Sequence, residues 1–149
     1  MAGYSQTVSL PDLAATEALG ARIADELRVG DAVALEGDLG AGKTALARAI
    51  LVALGVTEDV PSPTFTLVQY YETPRLAVSH FDLYRIKNES ELDELGFDEA
   101  LASGAALIEW PERAPHRIPA DALHVTLTAH GDARCAVLSG PKAEAIHGV

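Results

Sequence analysis

Cysteine is almost absent from this sequence, and it has no long apolar run. The single cysteine, Cys135, excludes an intramolecular disulfide and a cysteine-based metal site, and it fits a reducing compartment. The five histidines never fall at the spacing of metal ligands, so we expect no zinc or iron site. The apolar runs are far too short to cross a membrane, and the first residues lack the features of a signal peptide. We therefore expect a protein of the cytoplasm that does not contact membranes.

Basic side chains are also scarce, and this shortage bears on the choice of partners. Eleven Lys and Arg residues face 22 Asp and Glu residues, which gives a formal net charge of −11. Such a surface repels phosphate backbones, so tight binding of RNA or DNA by this chain alone is unfavourable. The acidic surface could attract a basic protein partner, or it could simply keep the protein soluble.

The spacing of apolar residues predicts strands and helices that first alternate and then give way to antiparallel strands. The predicted helices cover residues 12–28, about 43–54, and 88–103 with a break at Gly96. The predicted strands cover residues 5–10, 32–35, 65–72, 76–83, 105–108, 122–128 and 133–139. The third and fourth strands can form a hairpin, and Gly131-Asp132 is a good hairpin turn between the last two.

The segment from Gly37 to Thr44 matches G-x-x-x-x-G-K-T, the pattern of a phosphate-binding loop, or P-loop. Its glycines let the backbone curl around a phosphate, and the N–H groups of the loop form an anion cradle. The following helix adds the positive end of its dipole. Lys43 would reach the β- and γ-phosphates of ATP or ADP, and the Thr44 hydroxyl would ligate Mg²⁺. The predicted nucleotide-binding residues are Asp38, Leu39, Gly40, Ala41, Gly42, Lys43, Thr44 and Ala45.

An ordinary glycine-rich turn is the alternative, but the buried strand before the motif and the helix after it favour the P-loop. The order of elements then predicts an α/β fold, a P-loop NTPase-like three-layer sandwich. Its central sheet is mixed and mainly parallel, with antiparallel additions. In this interpretation residues 1–140 form one nucleotide-binding domain, and residues 141–149 form a flexible C-terminal tail.

Hydrolysis requires a carboxylate near the metal and a group that orients water, and two acids follow predicted strands. Asp82 resembles the aspartate that holds Mg²⁺ through water, although it could simply cap the next helix. Glu109 could orient or deprotonate the attacking water or serve the metal, or it could be a surface residue that begins a loop. We predict that Lys43, Asp82 and Glu109 are catalytic. The predicted metal ligands are Thr44, Asp82 and Glu109.

Three further features have two interpretations each. Thr64 and Phe65 lie where nucleotide-sensing switch loops occur, although the neighbouring prolines also fit a fixed turn. Trp110 could stack near the nucleotide or a partner, although a lone tryptophan is more often part of the core. Arg85 could approach the phosphates or pair with an acid. Because no arginine occupies an obvious finger position, we expect slow turnover by the isolated protein.

Four segments in this order resemble the bacterial TsaE (YjeE) family, the ATPase of the tRNA threonylcarbamoyladenosine machinery. They are GDLGAGKT at 37–44, SPTFTL at 62–67, HFDLYR at 80–85 and IEWPE at 108–112. The resemblance covers about residues 5–140, and all the motif positions agree. It implies that Lys43 and Thr44 bind phosphate and magnesium. It also implies that Asp82 is the metal-side carboxylate, that Glu109 is the second functional acid, and that Thr64 belongs to the switch.

The resemblance further implies a cytoplasmic protein that acts with TsaB and TsaD, which modify the adenosine beside the anticodon of certain tRNAs. The carbamoyl transfer belongs to TsaD, and contact with tRNA is expected only through these partners. Two other functions remain open from the residues alone. A small-molecule kinase would need an acceptor site and a lid with arginines, and a nucleotide sensor would bind without turnover.

Overall fold

The computed structural model describes residues 5–38, 40–58, 60 and 67–146. The strands are β1 Ser5–Leu10, β2 Ala32–Glu36, β3 Val68–Glu72, β4 Ala77–Asp82, β5 Gly104–Glu109, β6 Leu123–His130 and β7 Ala133–Ser139. The helices are α1 Leu13–Glu26, α2 Lys43–Ala53, α3 Glu91–Glu94 and α4 Phe97–Ser103. Short 3-10 turns cover Pro111–Arg113 and Ala143–Ala145. Each of these strands and α-helices corresponds to a segment predicted from the sequence, whereas the two 3-10 turns were not predicted. In this part of the chain, no helix is long and apolar enough to span a membrane.

The strands of the described chain form one mixed sheet in the order β1-β7-β6-β2-β5-β4-β3. The four central strands β6, β2, β5 and β4 run parallel, because β2 pairs with β5 and β6, and β5 pairs with β4. The antiparallel pairs β1–β7, β7–β6 and β4–β3 extend the sheet on both sides. The predicted mixed sheet with a parallel centre and antiparallel additions is therefore confirmed.

Helices cover both faces of the sheet, which gives the three predicted layers. On one face, Leu19 and Ile23 of α1 and Leu46 and Ile50 of α2 join a buried cluster with Leu107 of β5. On the other face, α3 and α4 pack against the sheet through a second cluster that includes Leu92, Phe97 and Ile108. The ring of Phe97 lies edge-on to that of Phe81, with the centroids 5.2 Å apart.

The segment after Gly140 was expected to be a flexible tail. Residues 141–146 lie against the domain, where Ala143 and Ile146 are buried. Lys142 forms an ion pair with Asp31 in the turn before β2. These contacts join residues 141–146 to the domain in this structure. Residues 147–149 lie outside the described part, so the flexibility of the tail stays a prediction.

The parallel centre of the sheet determines where a ligand could bind. Strands β2, β4 and β5 all end at the same edge, and α2 begins just after β2. In open α/β sheets, ligands bind beyond the carboxyl ends of such strands. Asp82 and Glu109 are paired in register at the last positions of β4 and β5. The fold therefore places the P-loop and the two predicted acids at one edge.

Candidate functional site

The P-loop links β2 to α2 through a backbone that only glycine adopts easily. Gly37, Gly40 and Gly42 have φ angles of 144°, 80° and 104°, all in the left-handed range. A Cβ atom at Gly37 would lie 2.5 Å from the backbone oxygen of Leu127, so a larger residue would force the loop to shift. Gly42 is the N-cap of α2 and carries no side chain that could occupy the first turn. The first N–H groups of α2 thus remain available for an anion.

Lys43 folds back along this loop. Its Nζ donates hydrogen bonds to the carbonyl oxygens of Gly37 and Asp38, the latter at 3.0 Å. The same ammonium lies 4.1 Å from the ring centroid of Trp110, within the range of a cation–π contact. The residue is only 5% exposed. A phosphate between the loop and the α2 N-terminus would therefore find a cation already directed toward the loop.

Two opposing effects act on the pKa of Lys43. Burial lowers its pKa from the ordinary value of 10.5, because desolvation penalises the ammonium. Nearby carboxylates act in the opposite direction, and the largest of these effects comes from Glu109. The others come from Glu112, Asp82 and Asp38. The net shift of the pKa is downward.

Thr44 and Glu109 are joined directly across the site. The Thr44 hydroxyl lies 3.0 Å from Oε2 and 3.1 Å from Oε1 of Glu109, so it donates a hydrogen bond to this carboxylate. Glu109 is only 3% exposed. The sequence predicted both residues as metal ligands, and the structure brings their oxygens into contact.

Asp82 lies beside Glu109 and is 4% exposed. Its Oδ1 accepts a hydrogen bond from the backbone N–H of Tyr84 at 3.0 Å, which holds the carboxylate at the end of β4. The backbone N–H of Leu83 donates to the carbonyl oxygen of Glu109 at 3.0 Å and ties the two strand ends together. The result is a pair of buried acids on adjacent strands, rather than a helix cap or a surface glutamate.

His80 contributes a contact that the sequence analysis missed. Its Nε2 lies 2.7 Å from Oε2 of Glu109, and the imidazole is fully buried. His80 shares a face of β4 with Asp82, because the two residues are two positions apart in the strand, and Glu109 is its diagonal neighbour on β5. Only the register between β4 and β5 brings the two side chains together, and a single sequence does not supply it.

Two aromatic side chains belong to the site, and two arginines contact its residues from outside. Trp110 stacks against Tyr84 with the ring centroids 4.8 Å apart, and the Arg113 guanidinium lies 5.3 Å from the centroid of Tyr84. Trp110 is half-buried and has a left-handed backbone with φ of 59°. Arg134 of β7, which the sequence analysis did not consider, donates to the carbonyl oxygen of Gly40 at 3.2 Å. A basic residue therefore lies against the outer side of the P-loop.

One cavity of about 440 Å³ is shared by these groups, a volume suited to a small-molecule ligand. Its lining residues are Gly40, Gly42, Lys43, Thr44, Ala45, Asp82, Tyr84, Arg85, Glu109 and Trp110. The structure thus gathers the predicted Lys43, Thr44, Asp82 and Glu109 around one space. Asp38 and Ala41 line a neighbouring cavity on the side of the P-loop that faces β6. Leu39, Thr64 and Phe65 lie outside the described residues, so the switch remains a prediction.

The oxygen ligands of the site fit a hard cation that a phosphate also coordinates. Mg²⁺ prefers oxygen ligands and is usually bound by one or two carboxylates together with substrate phosphates and water. Thr44, Asp82 and Glu109 offer such oxygens at the mouth of the glycine cradle. Over the described ranges, no group of three or more His, Cys, Asp or Glu side chains could hold a metal by itself. A metal here would depend on the nucleotide for part of its coordination.

Comparisons with known proteins indicate the family and the fold. Residues 10–136 match the family model described as "Threonylcarbamoyl adenosine biosynthesis protein TsaE". Three bacterial relatives are each named tRNA threonylcarbamoyladenosine biosynthesis protein TsaE. The Rickettsia prowazekii relative is 45% identical over 105 residues, which cover 70% of this chain and 73% of the relative. The Bacillus subtilis relative is 38% identical over 118 residues, or 78% and 73% of the two chains.

The Mycobacterium bovis relative is 38% identical over 144 residues, which cover 89% of this chain and 86% of the relative. Among solved structures, the crystal structure of YdiB from Bacillus subtilis superposes with a TM-score of 0.80 at 28% identity. That match covers 94% of this chain and 88% of the YdiB chain. The fold is therefore similar to that of YdiB over most of the chain.

Proposed function

The chain belongs to the TsaE family, and from that premise we propose that it binds and hydrolyses ATP with Mg²⁺ in support of tRNA threonylcarbamoyladenosine biosynthesis. The modification is that of the adenosine next to the anticodon. One observation carries the proposal. The cavity at the sheet edge combines a P-loop with two buried carboxylates, Asp82 and Glu109. A loop that only bound phosphate would not need buried acids beside it, because burying a charge is costly.

The binding step follows from the P-loop. The backbone N–H groups of the glycine cradle and the first turn of α2 would hold the β- and γ-phosphates. The Lys43 ammonium would leave the Gly37 and Asp38 carbonyls and turn to the phosphates, a charge-assisted contact that replaces neutral ones. Thr44 would release Glu109 in the same step and offer its oxygen to the metal. Binding would therefore rearrange contacts within the site.

The hydrolytic step uses the acids. Thr44 and Asp82 would hold Mg²⁺, with Glu109 beside them, and the ion would neutralise charge on the β- and γ-phosphates. The Glu109 carboxylate would orient a water molecule for attack on the γ-phosphorus. A new bond would form from the water oxygen to phosphorus, and the bond to the bridging oxygen would break. The water proton would pass to Glu109 or to the phosphate product, and ADP would leave with the electron pair of the broken bond.

Among the described residues, we identify no arginine finger, that is, no arginine placed to stabilise the charge of the transition state. We therefore expect slow turnover by the isolated chain. Arg85 lines the cavity and Arg134 contacts the outer side of the P-loop. We propose that the partners are TsaB and TsaD, in keeping with the family resemblance, and that they raise the rate. The net charge of −11 favours contact with tRNA through these proteins rather than directly. The expected location is the cytoplasm.

Nucleotide binding and product analysis test the chemistry first. Trp110 is the only tryptophan and lines the cavity, so its fluorescence should change when Mg-ADP or Mg-ATP binds. Lys43→Ala should remove this response at the same concentrations. Incubation with Mg-ATP should release inorganic phosphate. Binding without any release, alone or with TsaB and TsaD, would instead support a nucleotide sensor. A phosphorylated small molecule formed from a metabolite pool would support a kinase.

A further inference from the structure

We infer that His80 is a positioning residue that holds the Glu109 carboxylate in its working orientation. The inference rests on the proposed hydrolytic role of Glu109. His80 is paired with Leu107, two residue pairs below the two acids, and no part of it is exposed. Leu107 belongs to the buried cluster that α2 joins. Its Nε2 is 2.7 Å from Oε2 of Glu109. This short distance between buried groups indicates a strong, charge-assisted hydrogen bond.

The direction of this bond follows from the chemistry of the two groups. Glu109 also accepts a hydrogen bond from the Thr44 hydroxyl, so its carboxylate is a hydrogen-bond acceptor. In the bond between His80 and Glu109, the hydrogen therefore lies on Nε2 of His80. Nδ1 of His80 has no hydrogen-bond partner among the residues that the structure describes. A bare nitrogen acceptor is better tolerated there than an unpaired N–H donor. The imidazole is therefore assigned to the tautomer that is protonated on Nε2.

His80 becomes more important when nucleotide binds. Two side chains, Thr44 and His80, donate hydrogen bonds to Glu109 in the described structure. In the proposed function, the Thr44 hydroxyl turns toward the metal and the nucleotide. His80 would then be the donor that still fixes the orientation of the carboxylate, because the terminal torsion angle of a glutamate side chain otherwise varies over a wide range. Without that bond, Glu109 could rotate away from the direction in which it orients water.

Stability alone gives little reason for a histidine at this position. On the side away from the two acids, the strand face next to His80 is apolar, with Val78 on β4 and Leu107 directly opposite on β5. An aliphatic side chain would fill that space without leaving a buried nitrogen unpaired. The imidazole therefore fits a positioning function better than a packing function.

Four variants separate positioning from packing. His80→Leu removes the donor and keeps an apolar side chain, whereas His80→Gln offers an amide N–H near the position of Nε2. Val78→Ala is the matched packing control, because it creates a cavity on the same face of the same strand without touching Glu109. Glu109→Gln removes the acceptor charge. Each protein is measured for phosphate release with the partners present, for Mg-ADP affinity, and for thermal unfolding.

We expect His80→Leu to lower kcat by roughly 10- to 100-fold, the usual loss when a group that orients an active-site ligand is removed. The KM for Mg-ATP and the affinity for Mg-ADP should change by less than about 3-fold, because His80 is not among the residues that line the cavity. His80→Gln should recover most of kcat. Val78→Ala should lower the unfolding temperature and leave kcat unchanged. An unchanged kcat in His80→Leu, or an equal loss in Val78→Ala, would overturn the inference.

A second measurement does not depend on activity. Long-range ¹H–¹⁵N spectra of the labelled protein report which imidazole nitrogen carries hydrogen. We expect His80 to be protonated on Nε2 and bare on Nδ1, and its signal to move in Glu109→Gln while the other histidines stay unchanged. Hydrogen on Nδ1 alone, or no response to Glu109→Gln, would overturn the inference. A wild-type protein that releases no phosphate would refute the proposed function, and the spectra would then decide alone whether His80 holds Glu109.

Discussion

Replacing Glu109 by glutamine separates the two roles that the site allows for this side chain. Glutamine has nearly the same shape, and its amide oxygen can still accept a hydrogen bond from Thr44 or His80. The substitution weakens two charge-assisted hydrogen bonds, which destabilises the fold, but it also removes the cost of burying a carboxylate, which stabilises the fold. These two effects oppose each other. We therefore expect the free energy of unfolding to change by less than about 2 kcal/mol.

The effect on hydrolysis should be far larger. A positioned base typically contributes about 10²- to 10⁴-fold, which corresponds to roughly 2.7 to 5.4 kcal/mol on the activation barrier. Glu109 is 3% exposed and lies beside the P-loop threonine, so no bulk-water base can easily replace it. If Glu109 orients or deprotonates the water, the loss should persist at saturating Mg²⁺. If it serves only the metal, added Mg²⁺ should restore the rate.

The assay is single-turnover phosphate release, with protein in excess over labelled ATP and with Mg²⁺ varied. Binding of Mg-ADP, followed by Trp110 fluorescence, gives the control for an intact site, and urea unfolding gives the control for stability. We expect binding within about 3-fold of wild type, because in the proposed site the P-loop backbone, Lys43 and the first turn of α2 hold the phosphates, rather than Glu109. Hydrolysis by Glu109→Gln at the wild-type rate would refute the catalytic role of Glu109.

Three other predictions test separate parts of the site. Gly37→Ala should destabilise the protein by about 2 to 5 kcal/mol, because it adds a clash with the Leu127 backbone to a left-handed φ angle. Gly40→Ala should cost only about 1 to 2 kcal/mol, since no described atom lies within 4 Å of its added Cβ. Equal losses of stability in urea unfolding would contradict this comparison. Because burial lowers the pKa of Lys43 from 10.5 and only the protonated amine attracts phosphate, ADP affinity should begin to fall at a pH below 10.5. Fluorescence titrations between about pH 7 and pH 10 measure this fall, and constant affinity across that range would count against it. Asp82→Asn should raise the Mg²⁺ concentration needed for half-maximal phosphate release by about 10-fold or more, and an unchanged Mg²⁺ requirement would exclude Asp82 from the metal site.

Much of the fold could be predicted because local patterns decide it. The helical stripe after Asp12 predicted α1, and the Oδ1 atom of Asp12 accepts the Ala15 N–H at 2.9 Å, as expected of an N-cap. Gly96 separates α3 from α4 with a φ of 74°, a conformation that breaks a helix. The short apolar run of β2 fits a strand buried on both faces. These features depend on near neighbours in the sequence, which a single chain displays.

The candidate site was only partly predictable, because some of its contacts depend on strand register. The strand-end rule predicted Asp82 and Glu109 at one edge, and the structure gathers them there. The bond from His80 to Glu109 joins residues 29 apart and follows from the alignment of β4 with β5. Arg134 reaches Gly40 from β7, 94 residues away in sequence. Neither contact leaves a local pattern in the sequence.

Trp110 shows the same limit. Composition favoured a core position for a lone tryptophan, with stacking near the nucleotide as the alternative. The residue packs on the second hydrophobic cluster and also lies 4.1 Å from the Lys43 ammonium, so it belongs to the core boundary and to the site. Its left-handed backbone, with φ of 59°, turns the chain directly after Glu109. Trp110 is the N-cap of the 3-10 turn that begins at Pro111.

We propose that this chain is a partner-activated ATPase of the threonylcarbamoyladenosine machinery. The most direct test of this proposal is the rate of phosphate release from Mg-ATP by the protein alone and with purified TsaB and TsaD, with Lys43→Ala as the control. We predict slow release alone, a clear increase with both partners, and no release above background by Lys43→Ala. An unchanged rate with partners that are active in a separate assay would contradict the account.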